Sequence, residues 1–341
     1  MRVFVSGATG YLGSRLVPAL LAAGHEVTAG ARRPDRLADF PWSDSVRAVE
    51  FDALRQDTQV PAMRGADAAV YLVHSLENRD FVRLDARAAR GFARAAAEAG
   101  VGRVVYQSGL VPEGEQARHS RHIRSRLEVE EILLAGAVPT LSLRAAIIVG
   151  AGSTSFEIVR RLTERLPVIP IPSWMNNWVQ PIAVVDVLHA LGCALADDRT
   201  GFVDIGGPEI MTYPDFIRLY ADVAGIVRPQ VAAGPVPAEV VGRSVARVSG
   251  LPRRTVTALA RSVAEDMVCT HPLPSDWFAD HPRTDVASAI RRALSPARTG
   301  TAVLGDPQSA ADTDADWSGG HIEISGATRY RSLFGHVGAR D

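Results

Sequence analysis

Over its first 150 residues the chain alternates short β-branched runs with longer stretches whose apolar residues recur every three to four positions. The short runs predict strands at residues 2–6, 26–31, 46–51, 68–73, 103–108 and 140–144. The longer, Ala/Leu/Arg-rich stretches predict amphipathic helices at residues 11–23, 81–99 and 123–135. A crossover helix between consecutive strands returns the chain to the same end of a sheet, so this order predicts parallel pairing. The runs "AAVYLV" and "VVYQS" are almost continuously apolar, as expected of strands covered on both faces.

Beyond residue 150 the rhythm changes. "GAGSTSFEIVRRLTERLP" predicts a helix capped near Ser153 or Ser155, and the Pro- and Trp-rich "VIPIPSWMNNWVQP" predicts an irregular loop. "IAVVDVLHALGCALAD" is helical, "GFVDIGG" a strand, and "YPDFIRLYADVAG" a helix that Gly225 stops. Residues 237–266 read as helical again. After Pro296 the composition shifts to Ala, Thr, Asp and Gly until "GGHIEISGATRYRSLFG", a strand or hairpin pattern. No internal repeat is present.

Composition narrows the class. Of 341 residues, 47% are hydrophobic and 22% charged, with a formal net charge of −1. These values suit a globular chain with a sizeable core and give no bulk field for nucleic acid or an anionic membrane. There is no lysine, so Schiff-base chemistry on a side-chain amine is excluded. Cys193 and Cys269 are far apart and match no metal-ligand spacing, so no metal is expected. With no cationic n-region and no apolar run of ~18 residues, a cytoplasmic location is the expectation. The expected partner is a small-molecule substrate, and monomer and homodimer both stay open.

The strongest chemical signal is "VFVSGATGYLGSRL". Gly7, Gly10 and Gly13 follow a predicted strand and open a predicted helix. Gly7 allows a tight turn, Gly10 lets the backbone approach a pyrophosphate, and Gly13 lets helix and strand pack closely. The free N–H groups and positive dipole end of the helix face the phosphates. The expected cradle is therefore Gly7, Ala8, Thr9, Gly10, Tyr11, Leu12 and Gly13. After the second strand, "AGARRPDR" places Arg32 and Arg33 where an acidic residue would bind an unphosphorylated ribose, so NADP(H) is expected over NAD. Asp52 is either an adenine contact or a loop-capping residue. His74, at the carboxyl end of the fourth strand, is expected at the nicotinamide side.

The segments "SGATGYLG", "GADAAVYLVHS", "RVVYQSGL", "RAAIIVG", "VQPIAVVDV" and "FVDIGGPEIMTYPDF" together resemble the short-chain dehydrogenase/reductase superfamily, in particular its atypical NAD(P)H-binding members. The resemblance runs from residue 2 to about 225. It implies an α/β fold: a Rossmann-type doubly wound parallel sheet with a small C-terminal α/β substrate-binding part. The implied division is a dinucleotide-binding core at 1–150, a substrate-binding part interleaved with late Rossmann elements at 151–296, and a tail or shortened extra domain at 297–341. Active members of the superfamily carry a Ser or Thr after the fifth strand, here Ser108, and a Tyr-x-x-x-Lys pair on the next helix. That helix here reads "SRHIRSRLEVEEILL", with neither residue, and His122 and Arg126 occupy the corresponding positions.

A spacing of four places His122 and Arg126 on one helix face. Histidine, with a reference pKa of ~6.5, is a competent acid in principle, but a neighbouring guanidinium pushes that pKa down. The alternative is an exposed face with Arg124–Glu128 and Arg126–Glu130 ion pairs over a buried stripe of Ile123, Leu127 and Leu134. Tyr71 and Tyr106 belong to the core. The expected substrate wall is Trp174, Asn176, Asn177, Trp178 and Gln180, with "CTHPLPSDWF", around His271 and Trp277, as a second lid. Three functions fit: an NADPH-dependent reductase of a carbonyl or activated alkene in a mostly apolar molecule, a non-redox isomerase, lyase or cyclase, and a dinucleotide-sensing regulator. The first is preferred.

Overall fold

The computed structural model describes residues 1–112, 119–262, 264–271, 273–295 and 305–315. In chain order the first part holds β1 (Arg2–Ser6), α1 (Tyr11–Ala22), β2 (Glu26–Ala31), β3 (Arg47–Glu50), α2 (Gln56–Met63), β4 (Ala68–Tyr71), α3 (Phe81–Glu98), β5 (Arg103–Gly109), α4 (Arg121–Leu134) and β6 (Thr140–Ala145). There follow β7 (Ile148–Val149), α5 (Thr154–Arg165), β8 (Ile169–Pro172), β9 (Trp178–Val179), β10 (Ile182–Ala183), α6 (Val184–Ala196), β11 (Gly201–Ile205), β12 (Met211–Thr212), α7 (Tyr213–Ala224), β13 (Gln230–Gly234), α8 (Ala238–Ser249), α9 (Arg253–Ser262) and α10 (Val286–Leu294).

Seven strands pair in parallel in the order β11-β6-β5-β4-β1-β2-β3. The order reverses between β1 and β4, the switch point beside which α/β sheets bind ligands. Side-chain alternation builds the two covered faces. Val3, Val5, Val105, Leu141 and Leu143 meet α1 and α6, whereas Phe4, Tyr71, Val104 and Tyr106 meet α2, α3 and α4. Tyr71 and Tyr106 are fully buried. A separate apolar cluster joins α5, α7 and α10 through Phe156, Phe216, Tyr220 and Ile290. The late elements α6 and β11 thus return to the main sheet, while α5, α7, α8, α9 and α10 stand beyond its carboxyl edge.

Helix α8 ends on Gly250 in the left-handed region (φ +70°), and the chain turns directly into α9. Arg161 and Arg165 of α5 donate to the last carbonyls of α8, at Ser249 (2.8 Å) and Val248 (2.6 Å). Basic side chains there satisfy orphan acceptors at the negative end of the helix dipole. Residues 305–315 fold back on the body. Buried Arg15 of α1 pairs with buried Asp314 at 2.6 Å and donates to the carbonyls of Ala151, Pro307 and Ser309.

Several elements depart from the pattern reading. The stretch read as an irregular loop contains β8 and β9, which pair with β13 and β12. Helix α2 was not signalled, since eight residues including Pro61 carry no amphipathic stripe. Residues 237–266 divide into two helices at Gly250. On α4 the deeply buried residue is Leu133, not Leu134. The two ion pairs of the alternative reading of α4 give way: Glu130 is buried and binds Arg144 (2.5 Å) and Ser142 (2.6 Å), and Glu128 faces Arg90. The segment "GGHIEISGATRYRSLFG" and the start of the shortened extra domain implied by the resemblance, "DWSGGHIEIS", lie outside the described residues.

Candidate functional site

The glycine loop links β1 to α1. Gly7 has φ +69° and accepts a hydrogen bond from the Gly10 N–H at 2.9 Å, closing a tight turn. A Cβ on Gly13 would lie 2.2 Å from the Gly7 carbonyl oxygen and 2.8 Å from the Ala8 Cα, so no side chain fits without moving backbone. Gly10 caps α1 without a side chain, which leaves the first N–H groups of the helix open to an anion. Ala8 is buried in the turn and Thr9 is exposed on it.

This loop borders a cavity of about 370 Å³ whose wall includes Gly7, Gly10, Tyr11, Leu12 and Gly13. The same cavity reaches His74 after β4, Ser108 on β5, and His122 and Arg126 on α4. The carboxyl ends of β4 and β5 and the first turns of α4 bring them there. The far wall is apolar: Ile158, Val159 and Leu162 from α5, Ile217 from α7, Val241 and Val245 from α8, and Val256 and Leu259 from α9, with Trp174 and Met175 at one side.

Within this cavity charge is unevenly held. Burial, then the Arg126 charge, then His74 hold the His122 imidazole down at about 3. Crowding by protein and then Arg126 lower His74 as well, but this residue is exposed, so solvent screens the effect there. The His122 ring is therefore neutral at neutral pH. Burial works against the Arg126 charge, but Tyr106, Asp85 and Tyr71 outweigh it and raise its pKa. Arg126 donates to the Tyr106 hydroxyl at 3.4 Å. Asp85, pushed up by burial, is held by Arg126, Ser75 and Ser125. Tyr11 Oη, Ser108 Oγ and His122 Nδ1 are buried with no hydrogen-bond partner among the described residues. Buried polar atoms without partners are uncommon, and three along one cavity mark where a polar ligand completes the site.

Other expected residues lie elsewhere. Arg32 and Arg33 sit at the carboxyl end of β2, exposed and with no side-chain partner among the described residues. Asp52 accepts from the Leu54 N–H at 2.9 Å, the loop-capping role. Trp178 is 50% exposed, and Asn176 donates to the Ser173 carbonyl within its own turn (3.3 Å). Gln180 is buried and bridges the Gly207 carbonyl and the Cys269 N–H. Asn177 donates to the Trp174 carbonyl (2.7 Å). None of these four lines the cavity; Trp174 alone of the expected wall does so, with its Nε1 on the Val236 carbonyl at 2.6 Å. The second expected lid packs against α6 instead: Trp277 is buried and binds Asp197, and His271 is exposed.

Two phenols also face the cavity, Tyr11 from the glycine loop and Tyr213 at the start of α7, and burial raises the pKa of both. Tyr213 lies in the segment "FVDIGGPEIMTYPDF", but nothing local ties α7 to the carboxyl edge of β5, so it does not read as a site residue in the sequence. Among the described residues no group of three or more His, Cys, Asp or Glu is placed to hold a metal. None of their helices is long and apolar enough to cross a membrane.

A seven-stranded parallel sheet with a glycine cradle at its switch point defines a Rossmann-type dinucleotide-binding protein. Residues 7–135 match the family model described as NAD(P)H-binding. It is 32% identical over 236 residues to an uncharacterised protein of Mycobacterium tuberculosis; the match covers 69% of this chain but spans only 24% of that protein. It is 26% identical over 275 residues to a 3-diazoavenalumate denitrifying reductase of Streptomyces (71% and 88% covered). It is 27% identical over 248 residues to a ceramide reductase of Caulobacter vibrioides (69% and 74% covered). A nucleoside-diphosphate-sugar epimerase of Staphylococcus aureus has the same fold, with a TM-score of 0.67 at 15% identity over 85% of this chain and 100% of that one.

Proposed function

We propose that the chain is an NADPH-dependent reductase of a carbonyl or activated alkene in a mostly apolar small molecule. One observation carries this reading: a single cavity joins the glycine cradle, a polar group of His74, Ser108, His122 and Arg126, and an apolar wall. Two relatives named as reductases support it. The donor set fits the dinucleotide, since the loop leaves backbone N–H groups open, and a Cβ at Gly13 would force the turn at Gly7 and Ala8 out of this shape. When bound, the reduced cofactor supplies a hydride. Arg32 and Arg33 take the 2′-phosphate, which makes NADPH the preferred form.

The residues on α4 replace the missing tyrosine and lysine in a different electrical state. Arg126 presents a permanent charge toward negative charge developing on the substrate oxygen. Ser108 and the neutral His122 ring donate hydrogen bonds to the same oxygen. His122 does so as imidazole, not imidazolium, because burial and Arg126 disfavour its charged form. The proton that completes the reduction comes from water or a phenol, since the neutral His122 ring only donates a hydrogen bond, and the apolar wall limits access of bulk water.

Absorbance of NADPH in the presence of ketones, enals and enones tests this reading. Consumption with at least one class is expected, and His122→Phe should slow it at least about tenfold, ~1.4 kcal/mol of barrier. Conversion of a substrate with no net change in NADPH would instead establish isomerase, lyase or cyclase chemistry.

A further inference from the structure

A second cavity, of about 880 Å³, opens beside the first. The two share Leu76 and His122 in their walls, so the catalytic helix separates an inner chamber from an outer vestibule. The vestibule is cationic: among the described residues Arg79, Arg121, Arg243, Arg253 and Arg254 line it beside one carboxylate, Asp80, and Arg254 also donates to the Glu77 carbonyl at 2.9 Å. Asp80 is itself shared with Arg83 at 3.7 Å. The protein as a whole carries a formal net charge of −1, so this concentration of arginine is local. Three helices also begin at its rim, α3 after Asp80, α4 after Ser120 and α9 at Arg253, which adds the positive ends of their dipoles. Phe81, under the Arg121 guanidinium at 5.4 Å, gives the wall an aromatic face.

We infer that the substrate is an amphiphile whose apolar part fills the inner chamber, whose phosphate-bearing head occupies the arginine vestibule, and whose reducible group lies between them at His122. Several guanidinium groups converging on one space match a multiply charged head better than a single carboxylate, since each fork takes two oxygens. Both compartments fall within or near the ~300–1,000 Å³ range of small-molecule sites. The head's source is either a nucleotide-type thioester or a lipid-type phosphate, and the phosphate chemistry is common to both. This inference rests on the inner cavity being the reaction site proposed above.

The test is calorimetric titration of the full chain saturated with NADPH, using octanoyl-coenzyme A, dodecyl phosphate, 2-octanone and inorganic pyrophosphate. At least one of the two phosphate-headed probes should bind ten times more tightly than 2-octanone or better, and that advantage should shrink with added salt. Whichever of the two binds more tightly identifies the head's source. Arg79→Gln/Arg253→Gln alters two exposed side chains and should weaken the phosphate-headed probes and pyrophosphate at least tenfold, leaving NADPH and 2-octanone unchanged. Equal binding of headed and headless probes would overturn the inference. So would an unaltered double variant, or a double variant that also loses NADPH. Failure of NADPH to bind the parent chain would remove the functional reading, and the pyrophosphate titration of parent against double variant would then decide the vestibule by itself.

Discussion

At the residue scale, the site depends on how charge is distributed around Arg126. A neutral histidine beside a permanent cation is a stable arrangement in a buried wall, whereas two cations there would repel. The consequence reaches stability. In the unfolded chain His122 titrates near 6.5, and in the folded protein at about 3. Between these values the unfolded state binds more protons, so stability is retained above about 6.5 and falls progressively as the pH drops toward 3. Thermal unfolding followed between pH 7 and 4 should show a falling midpoint, and His122→Phe should make that fall shallower; an unchanged slope would refute the buried neutral state. Arg33→Ala makes a separate statement. It should weaken NADPH binding at least about tenfold while leaving NADH nearly unaffected, and equal losses would remove the 2′-phosphate assignment.

At the scale of elements, much of the architecture was written in local pattern. The strands around β1, β2, β5 and β6 and the helices α1, α3 and α4 follow from periodicity, and Gly225 stops α7 in the left-handed region as its position suggested. What local pattern omits is pairing across distance. Glu130 and Arg126 have ideal helical spacing, yet the sheet beneath offers Arg144 and Ser142, and Glu130 turns inward to them. Trp178 and Trp174 look equivalent in sequence, but the short strand β9 directs one to solvent while the turn before it directs the other to the cavity. The Arg15–Asp314 pair is the clearest long-range case, joining α1 to a segment near the end of the chain. Removing one member of a buried pair leaves the other uncompensated, so Asp314→Ala should destabilise the protein by about 3 kcal/mol, measured by chemical denaturation. A change within ~0.5 kcal/mol would show that residues 305–315 contribute little to the body.

At the scale of the whole molecule, the sheet supplies half of the site and the later elements the other half. The glycine loop was legible because its function is local: turn, close approach and helix start lie within seven residues. The apolar wall was not, because α5, α7, α8 and α9 each contribute one to three side chains whose convergence depends on the fold. The arginine vestibule has the same origin, drawn from four separate segments. The central claim is that the bend at Gly7–Gly13 holds a dinucleotide's diphosphate at the start of α1. Titration of NADPH into the parent protein and into Gly13→Ala, with folding checked by circular dichroism, tests it most directly. Saturable binding by the parent and a loss of at least about tenfold in the variant, ~1.4 kcal/mol, are predicted; a parent protein that binds no nicotinamide dinucleotide, or a variant that binds as tightly as the parent, would contradict it.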